Sequence, residues 1–218
     1  MQSDNIKYTL DAVNLAQRLG CKTFVFAGSQ AEYGRVAGTI SPQTPTFPEN
    51  GYGMAKLCAG TMSRVLCNKL NIKHIWARIV SVYGAFDGEL TMITSTINKL
   101  LKGETPDFTA CEQQWDYLYS KDAATAMYLV AEKGKNNQIY CLASGKSYPL
   151  RYFVETLRNA INPQAALNIG AIPYTEQQVM NLCVDIDNLR NDTGFVPQYS
   201  FEEGIKETIL YEKIKNSI

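Results

Sequence analysis

Two β-type runs, Thr23-Phe24-Val25-Phe26-Ala27 and Lys73 to Val80, each follow a helix-patterned stretch and each lead to a serine, Ser29 and Ser81. Ahead of the first, Ile6, Leu10, Val13 and Ala16 recur at helical spacing, and Gly20 supplies a C-terminal stop. Ahead of the second, the pattern predicts a helix from about Tyr52 to Leu70. Helix, strand, helix, strand is the sign of a parallel βαβ arrangement. In such sheets reactive groups collect at the carboxyl ends of the strands. Ser29 and Ser81 both fall there. Between the first strand and its helix, residues Gln30 to Asn50 form a loop punctuated by Pro42, Pro45 and Pro48.

The remainder alternates less regularly. Helices are predicted over Leu90–Leu101, Asp122–Glu132 and Pro149–Ile161, the last with its proline in the first turn. Asp116–Tyr119 is predicted as one short extended segment and Gln138–Leu142 as a strand, and Phe201–Lys215 is patterned as an amphipathic helix.

Composition narrows the function. Twenty-one basic residues balance twenty-one acidic ones in 218, so no global field draws the chain to nucleic acid or anionic lipid. No run approaches the length of a membrane span, and Met1-Gln2-Ser3-Asp4-Asn5 has no signal-peptide character, so the expected address is the cytoplasm. The six cysteines (21, 58, 67, 111, 141, 183) form no C-x-x-C pair and read as reduced thiols, mostly buried. With His74 the only histidine, set in an apolar stretch, neither a histidine-based triad nor a multi-histidine metal site is expected, and no metal is assigned.

The chemistry has to come from elsewhere, and Tyr52-Gly53-Met54-Ala55-Lys56 is the sharpest candidate. A tyrosine and a lysine four apart at a helix start share one face. A free phenol titrates near 10, and a neighbouring ammonium favours its ionised form, which suits acid/base work on an alcohol or ketone. The spacing occurs three times, at Tyr52–Lys56, Tyr117–Lys121 and Tyr211–Lys215. Only the first follows a strand ending in serine. The other two read as a strand-to-helix junction and a solvated terminal helix.

Several ordered segments carry a resemblance. Phe24-Val25-Phe26-Ala27-Gly28-Ser29-Gln30-Ala31-Glu32-Tyr33-Gly34 resembles the serine-bearing strand end of the extended short-chain dehydrogenase/reductases, the NAD-dependent epimerase/dehydratase group acting on nucleotide sugars. Glu49-Asn50-Gly51-Tyr52-Gly53-Met54-Ala55-Lys56 is similar to their Tyr-x-x-x-Lys helix start, with Asn5 where that family keeps an asparagine. Arg78-Ile79-Val80-Ser81-Val82-Tyr83-Gly84 resembles the next strand, and Gln114 to Ala124 the substrate-side strand and helix. Gly194-Phe195-Val196-Pro197 with Phe201-Glu202-Glu203-Gly204 matches the closing pattern.

The resemblance implies an α/β fold: a partial Rossmann-type, doubly wound parallel sheet with a smaller mixed α/β substrate-binding part. Residues 1–84 would be the later portion of a dinucleotide-binding domain. Residues 85–218 would be the substrate part, with the strand and helix near 138–161 returning to the sheet. It implies NAD or NADP as cofactor, a nucleotide-sugar substrate and a homodimer built through the helices near Leu10 and Leu57. Ser29 would hold the reacting oxygen, Tyr52 would be the acid/base, and Lys56 would hold the nicotinamide ribose. Ala27, Ile79 and Ser81 would line the nicotinamide pocket, and Gln30, Ser81 and Trp115 would face the substrate.

Three departures modify this. No G-x-x-G-x-x-G occurs, and the chain opens at what resembles the helix before the serine-bearing strand. A truncated form with weak or lost dinucleotide binding is therefore expected, with exposed sheet edge favouring self-association. Trp115 stands where the family usually has an arginine that pairs with the substrate diphosphate; it would pack in the core or stack on a base or sugar. Gln30-Ala31 occupy the positions of the dehydratases' Asp-Glu pair, and neither can pass a proton. A C4 epimerase or 4-keto reductase is the expected activity, and a catalytically incomplete interaction module is the alternative.

Overall fold

A computed structural model describes residues 2–216. Helix α1 (Asp4–Arg18) leads into β1 (Thr23–Ser29), and α2 (Gly51–Lys69) leads into β2 (Lys73–Ile79). There follow β3 (Val82–Tyr83), α3 (Met92–Leu101), β4 (Asp107–Phe108), β5 (Gln114–Trp115), β6 (Leu118–Tyr119) and α4 (Ser120–Lys133). Then come β7 (Ile139–Leu142), β8 (Tyr148–Pro149), α5 (Leu150–Ile161), β9 (Asn168–Ile169), β10 (Asn181–Leu182), α6 (Asp187–Thr193) and α7 (Phe201–Lys215).

The main sheet is parallel, in the order β1-β2-β7. Its central strand β2 is buried through His74, Ile75, Trp76, Ala77 and Arg78, which explains its unbroken apolar run better than an alternating pattern would. Ser29 sits level with Ile79 in the β1–β2 register, and Ile79 with Leu142 of β7. The carboxyl ends of all three strands therefore form one rim. The remaining strands pair in short groups, β10-β5-β8, β3-β6 and β4-β9, on the side of α3, α5 and α7. A second core of Tyr83, Ile97, Phe153, Leu157, Phe201 and Ile205 closes that part.

Local chemistry explains how α2 is placed. Asn50 caps it, its Oδ1 accepting from Gly53 N at 2.8 Å. Its buried face is made of small residues, among them Gly53, Ala55, Ala59, Gly60 and Ser63. That face lets the helix lie close on the sheet: a Cβ on Gly60 would come 2.2 Å from the Trp76 ring. Helix α1 packs against α2, with Val13 clustering with Cys67 of α2 and with Ile72 just beyond it. Gly20, at φ +70°, ends α1 as its position suggests.

Three expectations are corrected. Asp116–Tyr119 is not one extended segment: β5 and β6 belong to different sheets, and Asp116 turns between them. The cause is Asp116 itself, buried and accepting from Ser144 N, Ser144 Oγ and Gly145 N at 2.7–2.8 Å. Pro149 precedes α5 instead of lying in its first turn, because it pairs with Gln114 in the β5–β8 ladder. The thiols are not mostly buried: Cys67, Cys111 and Cys141 are, but Cys21 and Cys58 are exposed.

Candidate functional site

Ser29 is the last residue of β1 and caps the 3-10 turn Gln30–Glu32. Its Oγ accepts from Ala31 N at 3.2 Å, and its backbone N donates to Glu32 Oε1 at 2.8 Å. This is a reciprocal capping box, and Ser29-Gln30-Ala31-Glu32 carries the S-x-x-E spacing that announces one. Glu32 is completely buried and meets Arg78 Nε at 2.6 Å. Burial works against the Arg78 charge, but the Tyr33 and Glu32 oxygens beside it outweigh that and hold its pKa above the ordinary guanidinium value. Neither Glu32 nor Arg78 stands out in the sequence as a site residue. The capping spacing was the available signal.

The first turn of α2 abuts this turn. A Cβ on Gly53 would lie 2.2 Å from the Ala31 carbonyl oxygen, so the helix start rests directly on the serine turn. Tyr52, 40% exposed, and Lys56 share one face there, with Lys56 Nζ 5.8 Å from the Tyr52 ring centre. Lys56 Nζ also donates to the carbonyl of Ala27, at 3.0 Å, on the β1 edge away from β2. Lys56 thus joins the face of Tyr52 to Ala27, two residues before Ser29, and Ile79 lies level with Ser29.

Ser81 and Trp115 form a second group. The indole Nε1 of Trp115 donates to Ser81 Oγ at 2.9 Å, and Leu118 N donates to the Ser81 carbonyl. Trp115 is half-buried, with its indole N–H committed to the serine. Gln30 lines a cavity of about 350 Å³ together with Ala31, Gly34, Arg35, Glu49, Asn50, Gln177 and Val179. Across that cavity Arg35 forks onto both Glu49 oxygens and donates through Nη1 to the Glu176 carbonyl, tying the loop after β1 to the segment before β10. Its guanidinium holds the Glu49 carboxyl below the usual range.

Residues 1–143 match the profile of the Epimerase family, described as the NAD dependent epimerase/dehydratase family. The chain belongs to that family. Among curated relatives, dTDP-4-dehydro-6-deoxyglucose reductase of Escherichia coli is 27% identical over 195 residues, covering 87% of this chain and 61% of that protein. The chain thus spans about three-fifths of the length of that relative. UDP-N-acetylglucosamine 4-epimerase from Methanobrevibacter ruminantium M1, solved with UDP-N-acetylmuramic acid, superposes with a TM-score of 0.89 at 22% identity, over 97% of this chain and 69% of that one. dTDP-glucose 4,6-dehydratase from Bacillus anthracis, solved with NAD, gives 0.86 at 18% identity, over 98% and 68%. At these identities the two structures speak for a shared Rossmann-type fold. No helix among the described residues is long and apolar enough to cross a membrane.

Proposed function

We propose that this chain carries the reacting-carbon site of an oxidoreductase acting at C4 of a nucleotide-linked sugar, working as a 4-keto reductase. The reading is supported by two contacts, the first turn of α2 resting on the turn after Ser29 and Lys56 Nζ reaching the Ala27 carbonyl two residues before that serine. The Ser29 oxygen already accepts the Ala31 N–H, which leaves its own proton to donate to a substrate oxygen. Tyr52, exposed at the start of α2, gives a proton to that oxygen as the ketone becomes an alcohol. Ser81, whose oxygen is likewise occupied by Trp115, also keeps a proton to donate.

A nicotinamide cofactor in its reduced form, NADH or NADPH, would supply the hydride and leave as NAD+ or NADP+; the Bacillus anthracis structure was solved with NAD. The residues present fit its ribose end. Lys56 uses one N–H on Ala27, and an ammonium has three, so two remain for ribose hydroxyls. Ala27 and Ile79 would border the ring. Reduction is favoured over water elimination because Gln30 and Ala31, next to Ser29, hold no transferable proton. It is favoured over epimerisation by the likeness to the Escherichia coli reductase.

The test is oxidation of NADH or NADPH by the chain with a dTDP-4-keto-6-deoxyhexose, beside calorimetric titration of each cofactor. Tyr52→Phe is expected to lower kcat by about 10²- to 10⁴-fold, the usual worth of general acid catalysis. Undiminished turnover in Tyr52→Phe would reject the assignment. Cofactor binding without reduction, but with interconversion of C4 epimers, would favour the epimerase.

A further inference from the structure

Three N–H groups converge on the Glu32 carboxylate: Ser29 N at 2.8 Å, Trp76 Nε1 at 3.3 Å and Arg78 Nε at 2.6 Å. Both charged partners are sealed from solvent, Glu32 at 0% exposure and Arg78 at 2%. The guanidinium lies 4.4 Å from the Tyr33 ring centre and 4.9 Å from that of Trp76. Gly28 makes room for the carboxylate beneath the strand: a Cβ there would fall 2.4 Å from Trp76 Nε1 and 2.6 Å from Glu32 Oε1.

A buried ion pair adds little stability, because removing two charges from water offsets their attraction. An apolar pair would fill the space about as well. What it does supply is a fixed direction for whatever it bonds. Here that is the backbone of Ser29, and the Trp76 ring in the same cluster also receives Gly60 of α2. We infer that Glu32, clamped by Arg78, is the positioning residue that fixes Ser29 relative to the first turn of α2, so that the serine hydroxyl is aimed at the reacting oxygen. Glu32 touches no substrate. It acts through Ser29, and the inference rests on the role proposed above for that serine.

The experiment is a double-mutant cycle of Glu32→Gln and Ser29→Ala in the turnover assay just described. The glutamine amide turns a donor toward the Arg78 donor and so unseats the cluster with almost no change of size. Glu32→Gln is expected to lower kcat about tenfold or more with KM within about threefold, and to cost nothing further in the Ser29→Ala background. An equal loss in both backgrounds, or an unchanged kcat, overturns the inference. If Glu32→Gln does not fold, Glu32→Asp, which keeps the charge but shortens the reach to Ser29 N, takes its place in the same cycle.

Absence of turnover in the parent chain would show that the chain does not work as a reductase by itself, and leaves the positioning open to a second measurement. The positioning is then read from hydrogen exchange at the Ser29 amide. Exchange at Ser29 should quicken about tenfold or more in the variant while the buried β2 amides stay unchanged. Equal Ser29 exchange in parent and variant overturns the inference.

Discussion

Trp115 Nε1 donates to Ser81 Oγ across 2.9 Å, joining the segment just past β2 to β5. The bond aligns the half-buried indole and directs the serine proton away from it. Trp115→Phe keeps an aromatic ring and removes the donor. It should cost about 1 kcal/mol of stability, the usual net worth of such a bond. If Ser81 faces substrate, KM should rise more than kcat falls. Urea unfolding and steady-state kinetics check the two parts separately, and an unchanged KM would remove Ser81 from the substrate pocket.

Gly53→Ala probes the contact on which the proposed activity depends. Its Cβ would meet the Ala31 carbonyl at 2.2 Å, a backbone atom that cannot swing away. The first turn of α2 must then shift, carrying Tyr52 with it. A stability loss of about 1–3 kcal/mol is expected, and kcat should fall more steeply than global stability predicts. Thermal unfolding beside turnover measures this. Wild-type kcat in a folded variant would show that the Ala31–Gly53 contact does not set the catalytic geometry.

His74 predicts a pH dependence. It is fully buried in β2, its Nε2 meets Ser63 Oγ at 3.0 Å, and its Nδ1 has no partner. Burial first, and the Arg64 charge second, push its pKa down to about 4. The folded value lies below the unfolded value of about 6.5, so between these pH values the unfolded chain takes the proton first. Stability contributed at neutral pH is therefore lost as pH falls from about 6.5 toward 4, by up to about 3 kcal/mol. Asp116, pushed up to about 6 by burial, acts with the opposite sign over much of that window. The comparison must therefore be with His74→Gln, whose unfolding free energy should fall less steeply on acidification. Parallel curves for the two proteins would contradict the assignment.

The homodimer that the family resemblance implies would use α1 and α2. Met54 and Met62 are exposed on α2, and with Leu57, Cys58 and Pro48 they line a shallow apolar groove. Tyr8 and Leu15 of α1 are exposed as well. A charge in the groove would be desolvated on association, so Met62→Glu should turn a dimer into a monomer while leaving thermal stability of the fold nearly unchanged. Sedimentation equilibrium decides it, and a variant still dimeric would move the interface elsewhere.

Much was legible in the sequence because its signals are local. Helical spacing of Ile6, Leu10, Val13 and Ala16, the Gly20 stop, the β-type run before Ser29 and the Tyr52–Lys56 spacing all act over one or two turns of chain, and α1, β1 and α2 form where those signals lie. The parallel pairing of β1 with β2 agrees with the helix-strand-helix-strand order read from the sequence. Asp116 and Pro149 were misplaced because their partners, the 144–145 turn and Gln114, are remote in the chain.

The tertiary structure alone decided which polar groups meet. Glu32 and Arg78 are forty-six residues apart, Trp115 and Ser81 thirty-four, and Arg35 and Glu176 one hundred and forty-one. Nothing in local spacing encodes such pairs, because each forms only when sheet register and helix docking bring two segments to one rim. The sequence determined the main elements and the place of Ser29 at the end of β1. Packing determined that the buried Glu32 carboxylate accepts from the Ser29 backbone and that the first turn of α2 rests on the turn after that serine.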